Sequence, residues 1–156
     1  MTPHGIITRS TFADAHELAP LLREEDRREL QEVSGKPALH NLLLGVMTGK
    51  PALTIRANDG TLAGILAVTP VGLSHGVISF AGTAVIERRP VEFLRGALDV
   101  VHAVARDYDT LFNVCDARNA THVRWLEWAG FKFIRKIDHY GAAQVPVLEF
   151  ARITTD

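Results

Sequence analysis

Apolar and polar residues recur along this chain with two different periods, and the switches between them mark its elements. Ile6 and Ile7 lie in a short extended run, 6–9, that reads as a first strand. Thr11 and Asp14 have capping-box spacing, in which hydroxyl and carboxylate each satisfy an otherwise unpaired amide, and they open a helix. Pro20 ends that helix or begins another. Residues 21–33 are strongly helical and stop at Ser34 and Gly35, where glycine accepts a left-handed conformation. A shorter helix follows over 38–47, with Gly49 as its expected left-handed cap and Pro51 just beyond.

The period then drops from 3.6 to 2. Residues 52–57 alternate as a strand, Asn58, Asp59 and Gly60 form a hairpin turn, and 61–68 return antiparallel. Residues 70–76 read as a loop and 77–85 as the third strand of a meander. After Pro90, which suits a first helical turn, Leu94, Ala97, Leu98, Val101, Val104 and Ala105 step by three and four. Glu92, Arg95, Asp99, His102 and Arg106 keep the same rhythm on the opposite face, so this helix docks on a sheet. The apolar run 111–115 is the next strand, and a strand–helix–strand unit of this kind makes a parallel pair. Asn119 caps a helix over 120–129 that Gly130 ends. Residues 131–137 and 145–152 form a closing hairpin, with Pro146 placing its second strand on an edge or at a bulge. The expected fold class is α/β with a mixed sheet: one domain over 1–156, combining an antiparallel meander, one parallel crossover and a C-terminal hairpin.

Charge narrows the partners. Seventeen basic against 18 acidic residues leave a net charge of −1, which provides no broad field for nucleic acid or anionic membrane, although a local basic patch is compatible with it. No apolar run approaches 18 residues, and the stretch 1–5 lacks the basic and apolar regions of a signal peptide. Neither a nucleic acid nor a membrane partner is expected. A chain of 156 residues buries roughly 68–70% of its unfolded surface and needs no staples. Cys115, the sole cysteine, excludes an intrachain disulfide and reads as a small buried hydrophobe in a reducing compartment.

The seven histidines, His4, His16, His40, His75, His102, His122 and His139, show no zinc-ligand spacing, and no metal site is expected. His122 falls on the polar side of its helix, as a surface or second-layer group. Thr48, Gly49 and Lys50 lack the upstream glycine spacing of a phosphate loop. The charged run 23–29 reads as a solvated helix face with i,i+4 pairs such as Glu24–Arg28, or as a binding edge. Asn113, mid-strand, satisfies a splayed strand pair, caps a loop, or is an ordinary buried amide. Trp125 and Trp128 pack core or rim, or present an assembly surface.

The element order resembles the acetyltransferase-like (GNAT) fold, and the run NATHVRWLEWAGF at 119–131 is similar to its late motif, an asparagine-capped helix leading to Gly-Phe. A longer resemblance is to phage proteins related to internal virion protein A of short-tailed coliphages. It is carried by YDTLFN at 108–113, by Asn119, His122, Arg124, Leu126, Gly130 and Phe133, and by LREEDRRE at 22–29. GT at 82–83, ERRP at 87–90 and FLR at 93–95 extend it. This resemblance implies a phage- or prophage-encoded, non-catalytic protein of the virion or its assembly, in the virion or the host cytoplasm, with phage structural or assembly proteins as partners. Arg23, Glu24, Asp26, Arg27, Asn113, Asn119 and Arg124 are its interaction candidates.

The GNAT resemblance implies the alternative, an acetyl-CoA-dependent N-acetyltransferase. Such an enzyme seats the coenzyme A pyrophosphate on backbone amides at a helix start, with the pattern Arg/Gln-x-x-Gly-x-Gly/Ala, because phosphates must approach bare backbone. Aligning Arg88 with the first position puts Val91 and Phe93 where small residues belong. Pro90 removes a donor and Glu92 adds negative charge. Arg88 and Arg89 are the cofactor ligands if coenzyme A binds, and otherwise two arginines on a solvated helix start. The usual acid, a tyrosine seven residues after the asparagine, is Leu126 here. Glu24 and Glu25 are the candidate bases, with Asp26 and Glu29 also available. With two of three requirements damaged, no catalytic residue is assigned and no cofactor is expected outside that alternative.

Overall fold

The computed structural model describes residues 5–154; the 1–4 stretch read for a leader, and His4 with it, lie outside the described residues. The chain runs β1 (Ile6–Arg9), α1 (Phe12–Leu18), a single 3-10 turn (Ala19–Leu21), α2 (Glu24–Ser34), α3 (Ala38–Thr48), β2 (Ala52–Arg56), β3 (Leu62–Val71) and β4 (His75–Gly82). It continues through α4 (Val85–Arg88), α5 (Pro90–Ala105), β5 (Thr110–Asp116), α6 (Ala120–Trp128), β6 (Lys132–Tyr140) and β7 (Val145–Ile153). The sheet has the order β1-β2-β3-β4-β5-β7-β6. Its pairs are antiparallel except β4 with β5, the parallel pair expected on either side of the amphipathic helix.

Each face of the sheet has its own core. Leu66, Val68 and Ile78 pack against Phe93, Val101 and Val104 of α5 and Trp125 and Leu126 of α6. Leu62, Ile65 and Ala81 pack against Ala15 and Leu18 of α1 and Leu42 of α3. The caps fall where their chemistry puts them. The Thr11 amide donates to Asp14 at 2.9 Å and the Asp14 amide to the Thr11 hydroxyl at 3.2 Å. Gly35 adopts φ 75°, Gly60 φ 90° and Gly130 φ 88°, conformations that L side chains resist.

Several boundaries differ from the sequence reading. α2 begins at Glu24 rather than 21, because Leu22 and Arg23 are extended and the Arg23 amide donates to the Gly82 carbonyl at 2.9 Å. Gly49 is not a left-handed cap: it is extended at φ −68°, and a Cβ there would stand 2.6 Å from the Gly45 carbonyl oxygen. Residues 70–76 are largely strand, with Pro70 opposite Gly76 and Val71 opposite His75. The third meander strand stops at Gly82. The Thr83 hydroxyl accepts the Val85 N–H at 3.2 Å while donating to the Leu62 carbonyl at 2.8 Å, and so starts the helical turn α4. β7 is an interior strand, and β6 is the edge. Pro146 is tolerated because β5 pairing ends at Val147 and the β6 register breaks between Ile137 and Tyr140. The bulge, not the edge, accommodates it.

Candidate functional site

β4 and β5 pair only over His75, Gly76 and Val77 with Thr110, Leu111 and Phe112. Beyond that point the strands part, and side chains take over the work of the ladder. Asn113 donates through Nδ2 to the Ile78 carbonyl at 2.8 Å, and its Oδ1 accepts the Val114 N–H at 2.7 Å. An amide can serve a carbonyl and an N–H at once. Of the roles open to Asn113, it holds the splayed pair.

One wall of the gap is a charged cluster centred on Arg23, whose residue is 6% exposed. Its Nε donates to Glu87 at 2.7 Å, Nη1 to Asp26 at 2.8 Å and Nη2 to Glu25 at 2.7 Å. Asp26 also accepts from Asn119 Nδ2 and from the Gly82 N–H, both at 2.9 Å. Burial pushes the Asp26 carboxyl pKa up, against the pull of His122, Asn119, Arg23 and the Gly82 amide. Its two oxygens accept three hydrogen bonds, the pattern of an ionised group. Glu29, one helical turn on, accepts the Asp116 N–H at 3.1 Å and Asn119 Nδ2 at 3.3 Å, and faces His122 Nδ1 at 3.1 Å. Burial works against the His122 imidazolium. The charge and hydrogen bond of Glu29, with Asp26 behind it, outweigh that effect and raise its pKa. Asp116 pairs with Arg118 at 2.8 Å; burial opposes its ionisation, but the Arg118 bonds prevail and hold its pKa low. The cluster thus ties α2 to β4, α4, β5 and α6.

The sequence candidates separate into two groups. Arg23, Asp26, Asn113 and Asn119 meet at the splay. Glu24 pairs outward with Arg27 on an exposed helix face, and Glu25 is clamped to Arg23, so neither expected base lines the gap. The expected Glu24–Arg28 pair is replaced by Glu24–Arg27 and Arg28–Glu32. Glu29 and His122 do line a groove of about 410 Å³ between α2, α3 and the parted strands, with Ser79 and Asn113 opposite. The i,i+3 spacing of Asp26 and Glu29 marks one helix face; their union with His122, 93 residues away, carries no sequence signal. Leu126, where the GNAT resemblance expects the acid, is 1% exposed in the core and does not border the groove. Arg124 is exposed on α6 and Trp128 beside it, whereas Trp125 is buried. Cys115 is fully buried, and burial, with Glu29 adding to it, pushes its thiol up to about 12. Among the described residues no cluster of His, Cys, Asp or Glu could hold a metal ion, and no helix is long and apolar enough to cross a membrane.

The turn after β4 does not fit a diphosphate. The Thr83 N–H donates to the Ala63 carbonyl and the Val85 N–H to the Thr83 hydroxyl. The N–H groups of Ile86, Glu87, Arg88 and Arg89 close turns on Thr83, Ala84, Ala84 and Val85, at 3.1–3.3 Å. Pro90 has none. What remains is the N–H of Ala84 and those of Val91 and Glu92 in the first turn of α5, where Val91 is a branched, 60% exposed residue and Glu92 an acidic one. Arg89 is paired with Asp59 at 3.2 Å. On the helical side of the gap, Phe80 stacks on Trp125 with centroids 5.5 Å apart and meets Phe93 at 5.4 Å. These rings line a small depression of about 90 Å³ between the starts of α5 and α6, with Pro90, Leu94 and His122 beside them.

No family model matches the chain, and no curated protein matches it, so the resemblance to the virion protein A group gains no support from these comparisons. Solved structures do match. Ard1 from Thermoplasma volcanium is 15% identical with a TM-score of 0.72, over 98% of this chain and 99% of that one. The ribosomal L7/L12 α-N-protein acetyltransferase RimL, solved with coenzyme A, is 12% identical with a TM-score of 0.73, over 97% and 95%. The putative acetyltransferase yncA from Salmonella typhimurium, solved with acetyl-CoA, is 11% identical with a TM-score of 0.69, over 97% and 95%. The architecture is therefore the GNAT acetyltransferase fold: a mixed α/β domain with a seven-stranded sheet.

Proposed function

We propose that this chain is a phage- or prophage-encoded protein that uses the GNAT fold as a scaffold for protein contacts in particle assembly, without coenzyme A chemistry. The observation that carries this reading is the turn 83–93: the N–H groups of 85–89 and of Phe93 close on their own chain, Pro90 has none, and the open first turn of α5 carries Val91 and Glu92 where small residues would admit a diphosphate. The residues of the phage resemblance support it. Arg23, Asp26, Glu29, Gly82, Glu87, Asn119 and His122 converge on one internal cluster. Arg23, Asp26 and Asn119 therefore hold the scaffold and are too buried to meet a partner, and of the expected interaction residues Glu24 and Arg124 are the exposed ones. Its partners would be phage structural or assembly proteins, met in the host cytoplasm or the virion.

Melting with and without acetyl-CoA tests the absence of a cofactor. A ligand at a hundredfold its Kd stabilises by about 2.7 kcal/mol, and the expected shift at millimolar acetyl-CoA is nil. Mass spectrometry of assembling and purified particles tests the association, and finding the protein in neither contradicts it.

The second reading is an acetyl-CoA-dependent N-acetyltransferase. The acetyltransferase names of the matching structures favour it, as does the open groove where Glu29, rather than Glu24 or Glu25, offers a carboxylate. Fold likeness is a weak warrant for activity. A melting shift that disappears in both Arg88→Ala and Arg89→Ala would establish this reading over the first.

A further inference from the structure

α6 ends at Trp128, and Gly130 turns the chain straight into β6. Past that corner the β6–β7 end of the sheet is left open beside α5. The β6 register against β7 shifts between Phe133 and Arg135. The residue set free by that irregularity, Ile134, is 59% exposed; bulges re-aim side chains in this way. Ile153 at the end of β7 is 68% exposed and Trp128 61%. These three side chains, with Leu98 of α5, line a groove of about 560 Å³. Trp128 also borders the adjoining depression beside Leu94 and Arg124, so the apolar strip continues toward the start of α5.

Among the described residues the ionisable ones lining the groove are His102, Lys132 and Arg152, with no carboxylate. Neither Lys132 nor Arg152 forms an ion pair among the described residues. In a chain of net charge −1, a basic rim that has no ion pair among the described residues, set around exposed apolar side chains, is a local feature. Exposed tryptophan and aliphatic groups in one patch mark a contact surface.

We propose that this groove docks a segment of a partner protein that carries apolar anchors flanked by carboxylates. The inference rests on the contact function proposed above and names its surface. Leu98, Ile134 and Ile153 give the floor an aliphatic character, which suits peptide side chains rather than stacked bases. Two copies of this chain meeting isologously would set Lys132 and Arg152 against the same charges, which opposes self-pairing.

Two synthetic peptides with the same apolar positions test this, one flanked by glutamates and one by lysines, titrated while tryptophan emission is followed. Trp128→Phe separates the exposed indole from buried Trp125. The glutamate peptide should bind at least about tenfold tighter than the lysine peptide. Its binding should weaken as salt rises from about 0.05 to 0.5 M. The Lys132→Glu/Arg152→Glu variant should reverse the preference while its melting temperature stays unchanged. Equal binding of the two peptides, or none at millimolar concentration, overturns the proposal. So does a dimer in sedimentation that Trp128→Ala dissolves, or displacement of the peptide by a single-stranded oligonucleotide. An acetyl-CoA melting shift alongside intact peptide binding would sink only the non-catalytic reading.

Discussion

Asp26 illustrates how much one buried group can hold. It joins a charged guanidinium, a helix-capping asparagine and the end of a strand, and its residue is 5% exposed. Removing it leaves Arg23 buried with a missing partner, so Asp26→Ala should cost about 3–5 kcal/mol in a denaturant titration. Arg88→Ala, on an exposed turn, should leave the midpoint unchanged. His122 gives the fold a pH dependence of defined sign. Its folded pKa is raised, so its stabilisation is complete below its ordinary value near about 6.5 and is lost as pH climbs through the folded value. Stability measured across that window should fall, and His122→Gln should flatten the fall. Cys115, with its thiol pushed up to about 12, should resist thiol reagents until the protein unfolds. Local roles such as the Thr11 and Asn119 caps are legible in sequence because donor and acceptor lie within three residues. The Asp26–Asn119 and Glu29–His122 contacts span more than 90 residues, and only the closed fold brings them together.

Among the elements, those with a strong period were the readable ones. α5 buries Ala97, Val101, Val104 and Ala105 of the stripe that the apolar spacing marks, with Leu94 and Leu98 half-buried at its margin and Phe93, outside that stripe, buried as well. The segment after β4 was not readable as a helix, since its apolar residues Val85 and Ile86 suit a strand equally well. The Thr83 hydroxyl decides the outcome by capping the turn. Gly49 looked like a helix terminator by position, but crowding against Gly45 governs its conformation. α6 shows the same limit for chemistry. Alignment by sequence gives Leu126 the place of a catalytic tyrosine, yet that side of the helix faces the core. Leu126→Tyr should therefore lower stability by about 1–3 kcal/mol through overpacking, without creating acetyl transfer in an amine acetylation assay. A catalytic gain from that substitution would mean that the helix presents this position to the groove.

For the whole molecule, the mixed sheet and its single parallel pair follow from the order of periods along the chain. The parting of β4 from β5 does not, because it depends on what fills the gap. Here Asn113 and the Arg23–Asp26 cluster bridge it and the Phe80–Trp125 stack lines it, with a groove left on either side. The result keeps the fold of acetyltransferases while closing the 85–89 amides on its own chain and setting Val91 and Glu92 at the open start of α5. That claim concerns particular N–H groups, and amide-resolved NMR reads them directly. Adding millimolar coenzyme A to the labelled protein should leave the resonances of residues 84–93 in place. Saturable shifts concentrated on those residues would contradict it.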